Sequence, residues 1–150
     1  MIPEAELIEK EMLLRLLAMD NDVKLSKQSI VRWLSLTFGL ISPNESRDSF
    51  FYVFERLLDS HKKGGLDLDS LIEEAKTKNI SEKTIYYHIL KLKRIGLITK
   101  QKKTNKYVFG NGYEKDLRKI FKEVYQKQIA EIYKRLDIML NSLEFYLDED

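Results

Sequence analysis

The sequence predicts a mostly α-helical chain with one small β-hairpin, and three observations carry that reading. Apolar residues recur at helical spacing behind serine and aspartate caps from the N-terminus to Gly96. The segments ITKQ and KYVF then flank the polar turn KKTN, the pattern of two short strands and their loop. From 113 to 146 no glycine or proline interrupts an amphipathic run.

Residues 4–19 place Leu7, Ile8, Met12, Leu16 and Met19 at helical spacing and end in the polar breaker DND, so a first helix is expected there. Ser26 is a candidate N-cap for a second helix over 26–38, with Ile30, Leu34 and Phe38 on one stripe. Gly39 closes it, and ISPNES (41–46) reads as a loop broken by Pro43. A third helix over 47–61 turns Phe50, Phe54, Leu57 and Leu58 inward and stops at HKKGG. Asp69 caps a short helix over 70–76, and Ser81 caps another over 81–94 that Gly96 ends.

Composition narrows the function. A chain of 150 residues, 43% of them hydrophobic, can bury a real core. It has no cysteine, which removes disulfides, thiolate metal sites and cysteine nucleophiles. The six glycines form no phosphate-binding loop, and with two histidines any catalytic or metal cluster would have to be built from carboxylates. Asp67, Asp69, Glu73 and Glu74 suit helix-dipole complementarity and solvation instead. Neither catalysis, cofactor nor metal is expected. No apolar run approaches the ~18 residues of a membrane span, and MIPEAELIEK is acidic rather than signal-like, so a cytoplasmic, nucleoid-associated location is expected.

Net charge is only +2, but its distribution is uneven. Residues 81–112 hold eight Lys or Arg against one acid, Glu82, while the flanking stretches are slightly acidic. Within this basic stretch, ISEKTIYYHILKLKRIGLI (80–98) combines two faces. Ile89 and Leu92 fall within about 40° of Ile85 on a helical wheel. Lys83, Tyr87, Leu90 and Arg94 point the opposite way, with Thr84, Tyr86 and Lys91 between. The preceding helix and the turn TKNI complete a helix-turn-helix order, in which Asn79 suits a left-handed backbone.

Ser81, Thr84, Ile85, His88, Ile89, Leu92, Gly96, Leu97 and Ile98 follow S-x-x-T-[VI]-x-x-H-[LI]-x-x-L-x-x-x-G-[LI]-[IV]. This resembles the recognition helix and first wing strand of winged helix-turn-helix transcriptional regulators of the MarR and ArsR kind. LDLDSLIEEAKTKNI extends the likeness upstream, so that it covers about residues 47–110. The metal-binding cysteines of many ArsR sensors are absent, so metal sensing is not implied. The expected fold is mostly α in three parts: an N-terminal helical extension (1–45) that the resemblance does not reach, a winged helix-turn-helix domain (46–112) and a long C-terminal dimerisation helix (113–150).

A major groove admits one α-helix, whose N-terminal side chains reach base edges. Ser81, Lys83 and Thr84 supply that N-terminus, and Tyr86 and Tyr87 follow one turn later. A lysine can bond guanine, and a threonine methyl or tyrosine edge can touch a thymine methyl. Lys91, Arg94 and the hairpin lysines Lys100, Lys102, Lys103 and Lys106 read as phosphate contacts, which fix position without reading sequence. His88 reads as a structural, hydrogen-bonded histidine, and His61 as a helix C-terminal residue without chemistry. Leu90, outward among cations, suggests coverage by another segment.

In the last helix Tyr125, Ile129, Ile132, Leu136, Met139 and Leu143 are spaced 4-3-4-3-4, a coiled-coil-like stripe that either packs within the chain or joins two copies. The expected protein is a homodimeric, sequence-specific regulator of double-stranded DNA. Two rivals share its features. One is a winged-helix module that binds proteins. The other is a chromatin or replication protein that binds DNA without sequence preference.

Overall fold

A computed structural model describes residues 3–43 and 48–148, with the backbone alone at Val23. Residues 44–46 of the expected loop and Arg47, the expected start of the third helix, lie outside the described residues. The chain divides into two compact units, Met1–Tyr113 and Glu114–Asp150.

The first unit begins with a single helical turn, α1 (Glu4–Leu7), and not with the helix expected over 4–19. Beyond it the backbone runs without regular structure to a 3-10 turn over Asn21–Leu25. Tertiary contacts override helix propensity here. Arg15 reaches the C-terminal end of α2 (Lys27–Thr37), where its backbone N–H donates to the Thr37 carbonyl at 2.9 Å. Its guanidinium donates to the carbonyls of Leu36 and Ile41 at 2.9 and 2.8 Å. A cation at a helix C-terminus meets carbonyls that have no intrahelical partner, and it complements the helix dipole. Leu13 lies so close to Gly39 that a Cβ at Gly39 would stand 2.7 Å from it. Residues 3–43 lie within the first unit, where Arg15 and Leu13 set this stretch against the C-terminal end of α2.

Ser26 caps α2 as its sequence suggests, accepting from the Ser29 N–H at 3.1 Å. The buried stripe of α2 is Val31 and Ser35, one position along from the expected Ile30, Leu34 and Phe38. Next, α3 (Asp48–His61) buries Phe50, Val53, Phe54, Leu57 and His61. Its Phe50 and Phe54 rings stack at 5.3 Å and form the centre of the core. Helix α4 (Leu68–Lys76) starts two residues before the expected position, because Asp67 is the cap. The Asp67 carboxylate accepts from the Asp69 N–H and the Ser70 hydroxyl.

A turn at Asn79, which takes the expected left-handed conformation (φ 58°), leads into α5 (Glu82–Ile95). Ser81 caps α5 by accepting from the Thr84 N–H at 3.2 Å, and Gly96 (φ 91°) terminates it. Strands β1 (Ile98–Lys100) and β2 (Tyr107–Phe109) form an antiparallel hairpin in the register Ile98↔Phe109, Thr99↔Val108, Lys100↔Tyr107. Leu66 adds a one-residue antiparallel bridge to Tyr107 on the other edge of β2, which no periodicity could reveal. The bridge brings the chain so close that Gly65 (φ 112°) has no room for a side chain: an added Cβ would lie 2.7 Å from Val108. The hairpin sits on α3, with Phe109 edge-on to Phe54 at 6.0 Å.

The second unit contains α6 (Leu117–Asp148). Ile120 and Tyr125 are buried, and burial pushes the Tyr125 phenol far above its usual range. Every described residue from Ala130 onward is exposed. Among the described residues no helix is long and apolar enough to cross a membrane.

Candidate nucleic-acid interface

The candidate interface lies on α5. Its inner face packs on α3 and α4 through Ile85, His88, Ile89 and Leu92, all buried. His88 is the structural histidine expected: its Nε2 and the Ser49 hydroxyl are hydrogen-bonded at 2.9 Å, and its ring meets Phe50 edge-on at 5.6 Å. With that face held, α5 turns Lys83, Tyr86, Tyr87, Leu90, Lys93 and Arg94 to solvent as one continuous stripe.

Three of the expected contact residues stand differently within α5. Lys91 does not share the exposed stripe. Its ammonium donates to the Leu40 carbonyl and lies 6.0 Å from the Phe50 ring centroid, which holds it half-buried on the covered flank. Thr84 is half-buried, its hydroxyl 2.8 Å from that of Ser81. Ser81 is exposed, but its oxygen is occupied by the cap. Both hydroxyls therefore set the start of the helix more than they offer hydrogen bonds outward.

Lys93 shares the exposed stripe although it was not among the expected contact residues. On the wheel it lies only about 80° from Ile85, nearer the buried side than Lys91. The covered arc, however, is displaced toward Thr84, Lys91 and Ile95, because Leu40 and Phe50 close over that flank. The opposite flank, with Tyr86 and Lys93, is thereby left open. Leu90, expected to be covered, is 45% exposed, and Tyr87 is 62% exposed.

The hairpin divides its residues by strand. All three residues of β2 are buried, while Thr99 and Lys100 of β1 are exposed, as are Lys102 and Lys103 in the turn. Lys106 is half-buried, and the Lys100 ammonium lies 6.0 Å from the Tyr107 ring. Burial of β2 thus orders a hairpin whose exposed strand and tip carry cations. His61, the last residue of α3, holds this arrangement: fully buried, its Nδ1 accepts from the Phe109 N–H at 3.2 Å. A buried acceptor reserved for one strand N–H was not legible from a histidine beside two lysines.

Three other cations of the first unit are paired: Lys27 with Asp59, Arg56 with Glu74, Lys76 with Glu73. Among the described residues no carboxylate pairs with Lys83, Lys93, Arg94, Lys100, Lys102, Lys103 or Lys106. A cleft of about 240 Å³ between α3 and α4 offers no comparable surface. Its carboxylates Asp59, Asp67 and Glu74 are engaged by Lys27, by the α4 cap and by Arg56. Among the described residues no cluster of His, Asp or Glu is arranged to hold a metal ion.

Of the residues expected in the dimer stripe, Tyr125 is buried and Ile129 half-buried, whereas Ile132, Leu136, Met139 and Leu143 are exposed. Comparison with protein-family models, with curated proteins and with solved structures gives no match.

Proposed function

We propose that this protein is a winged helix-turn-helix regulator that binds double-stranded DNA as a homodimer, with α5 in the major groove and the hairpin lysines on the backbone. The observation that carries the reading is the α5 stripe, where cations without carboxylate partners alternate with two tyrosines and a leucine. The order α3, Leu66 bridge, α4, turn, α5, hairpin supports the fold assignment. In this reading Lys83 and Tyr87 face base edges, and Lys93, Arg94, Lys100, Lys102 and Lys103 neutralise phosphates. The exposed apolar stripe of α6 joins two copies, which gives two α5 helices to read two half-sites.

Titration of a labelled mixed-sequence duplex at increasing salt tests the binding claim. Log affinity should fall linearly with log salt, at about −0.9 per phosphate contacted. Binding that ignores salt, or no binding at low salt, overturns it. The exposed Tyr86, Tyr87 and Leu90 also suit a protein partner, and such a module would leave the duplex unbound.

A further inference from the structure

We infer that α6 pairs with α6 of a second copy in antiparallel orientation, about a two-fold axis near residue 137. The inference rests on the homodimer reading above and adds its geometry.

Two independent patterns fix the axis. The first is apolar. Ile129, Ile132, Leu136, Met139, Leu143 and Tyr146 follow a 3-4 spacing, and all but the half-buried Ile129 are exposed. Tyr133, Leu140 and Leu147 widen this stripe along one edge at intervals of seven. Side chains of this size on one helix face are costly to leave in water. The stripe from Ile129 to Tyr146 has its midpoint between Asp137 and Ile138.

The second pattern is charge. Residues 117–135 carry Arg118, Lys119, Lys122, Lys127, Lys134 and Arg135 against Glu123 and Glu131. Residues 136–148 carry Asp137, Glu144 and Asp148 and no basic residue. An acidic last turn opposes the helix's own dipole, which favours cations at that end, and α6 has none there. Nothing local compensates for it. An antiparallel neighbour does: an axis near 137 sets residues 136–148 beside 127–139 of the second copy, where Lys127, Lys134 and Arg135 outnumber Glu131 and Asp137, and the reverse at the other end. A parallel pair would set acid beside acid and base beside base. Sign changes between Arg135 and Asp137, where the apolar stripe has its middle. One axis therefore satisfies both patterns, and the contact is self-complementary, as a two-fold interface requires.

The absence of native cysteine makes site-specific labelling clean. Lys127, Lys134, Asn141 and Asp148 are exposed and lie seven apart, on the face away from the stripe. Each is replaced singly (Lys127→Cys, Lys134→Cys, Asn141→Cys, Asp148→Cys) in the full chain, spin-labelled, and its copy-to-copy distance measured by pulsed dipolar spectroscopy. At 1.5 Å rise per residue, the axial offset should be about 30 Å at 127 and 148 but only about 10 Å at 134 and 141. That V-shaped profile is the expected result. Four equal distances would mean a parallel pair, which overturns the inference and leaves the homodimer standing. No dipolar coupling at any of the four sites would overturn both.

Discussion

Lys83 and Lys91 are both lysines on α5, and the fold separates their roles. Lys83 is exposed at the start of the helix, where a groove-bound helix meets bases; Lys91 is held against Leu40 and Phe50. Lys83→Ala or Tyr87→Ala should relax base preference by ~1–3 kcal/mol, read from affinities for duplexes varied one pair at a time. Lys91→Ala should leave both base preference and salt slope unchanged and lower only thermal stability. Lys93→Ala should reduce the magnitude of the salt slope by about 0.9 with no change in preference. Most of this face was legible in sequence, because a 100° wheel places Lys83, Tyr87 and Arg94 opposite Ile85. Lys91 and Lys93 were exchanged because the wheel assumes that the buried arc is centred on the aliphatics. The flank that closes over Lys91 comes from residues some fifty and forty positions earlier, Leu40 and Phe50, and helical period carries no trace of them.

At the scale of elements, caps and terminators were the readable features. Ser26, Ser81, Asn79 and Gly96 act where the sequence puts them, since each satisfies or ends a helix through local geometry alone. Residues 4–19 misled for the opposite reason. Their composition is strongly helical, yet Arg15 is engaged by carbonyls at the far end of α2 and Leu13 by Gly39. The Leu66 bridge was invisible because one residue has no period. It nevertheless makes a sharp demand on Gly65. Gly65→Ala should cost ~1–3 kcal/mol in denaturant unfolding, from its positive φ and from crowding against Val108 and the Tyr107 carbonyl. The hairpin beyond it should act electrostatically. Replacing Lys102 and Lys103 together with alanine should weaken binding to all duplexes alike and reduce the slope by up to ~2. Ile85→Asp should unfold the domain, since the carboxylate would be buried among α3 and α4 without a partner.

For the whole molecule, we propose that a basic, aromatic helix face reads DNA and that α6 doubles it. Leu136→Lys with Leu143→Lys should convert a dimer to a monomer in light scattering at micromolar concentration. The same change should weaken binding to a two-half-site duplex far more than to a single half-site. The measurement that tests the claim most directly is selection from a randomised duplex pool, run in parallel with the natural chain and with Lys83→Ala and Tyr87→Ala. The natural chain should enrich a palindrome whose half-sites repeat about one DNA turn apart, roughly 34–36 Å. Each variant should lose preference at a particular base pair in both halves. A pool retained without enrichment, or an enriched site that both variants read unchanged, would contradict the assignment of α5 as the reading face.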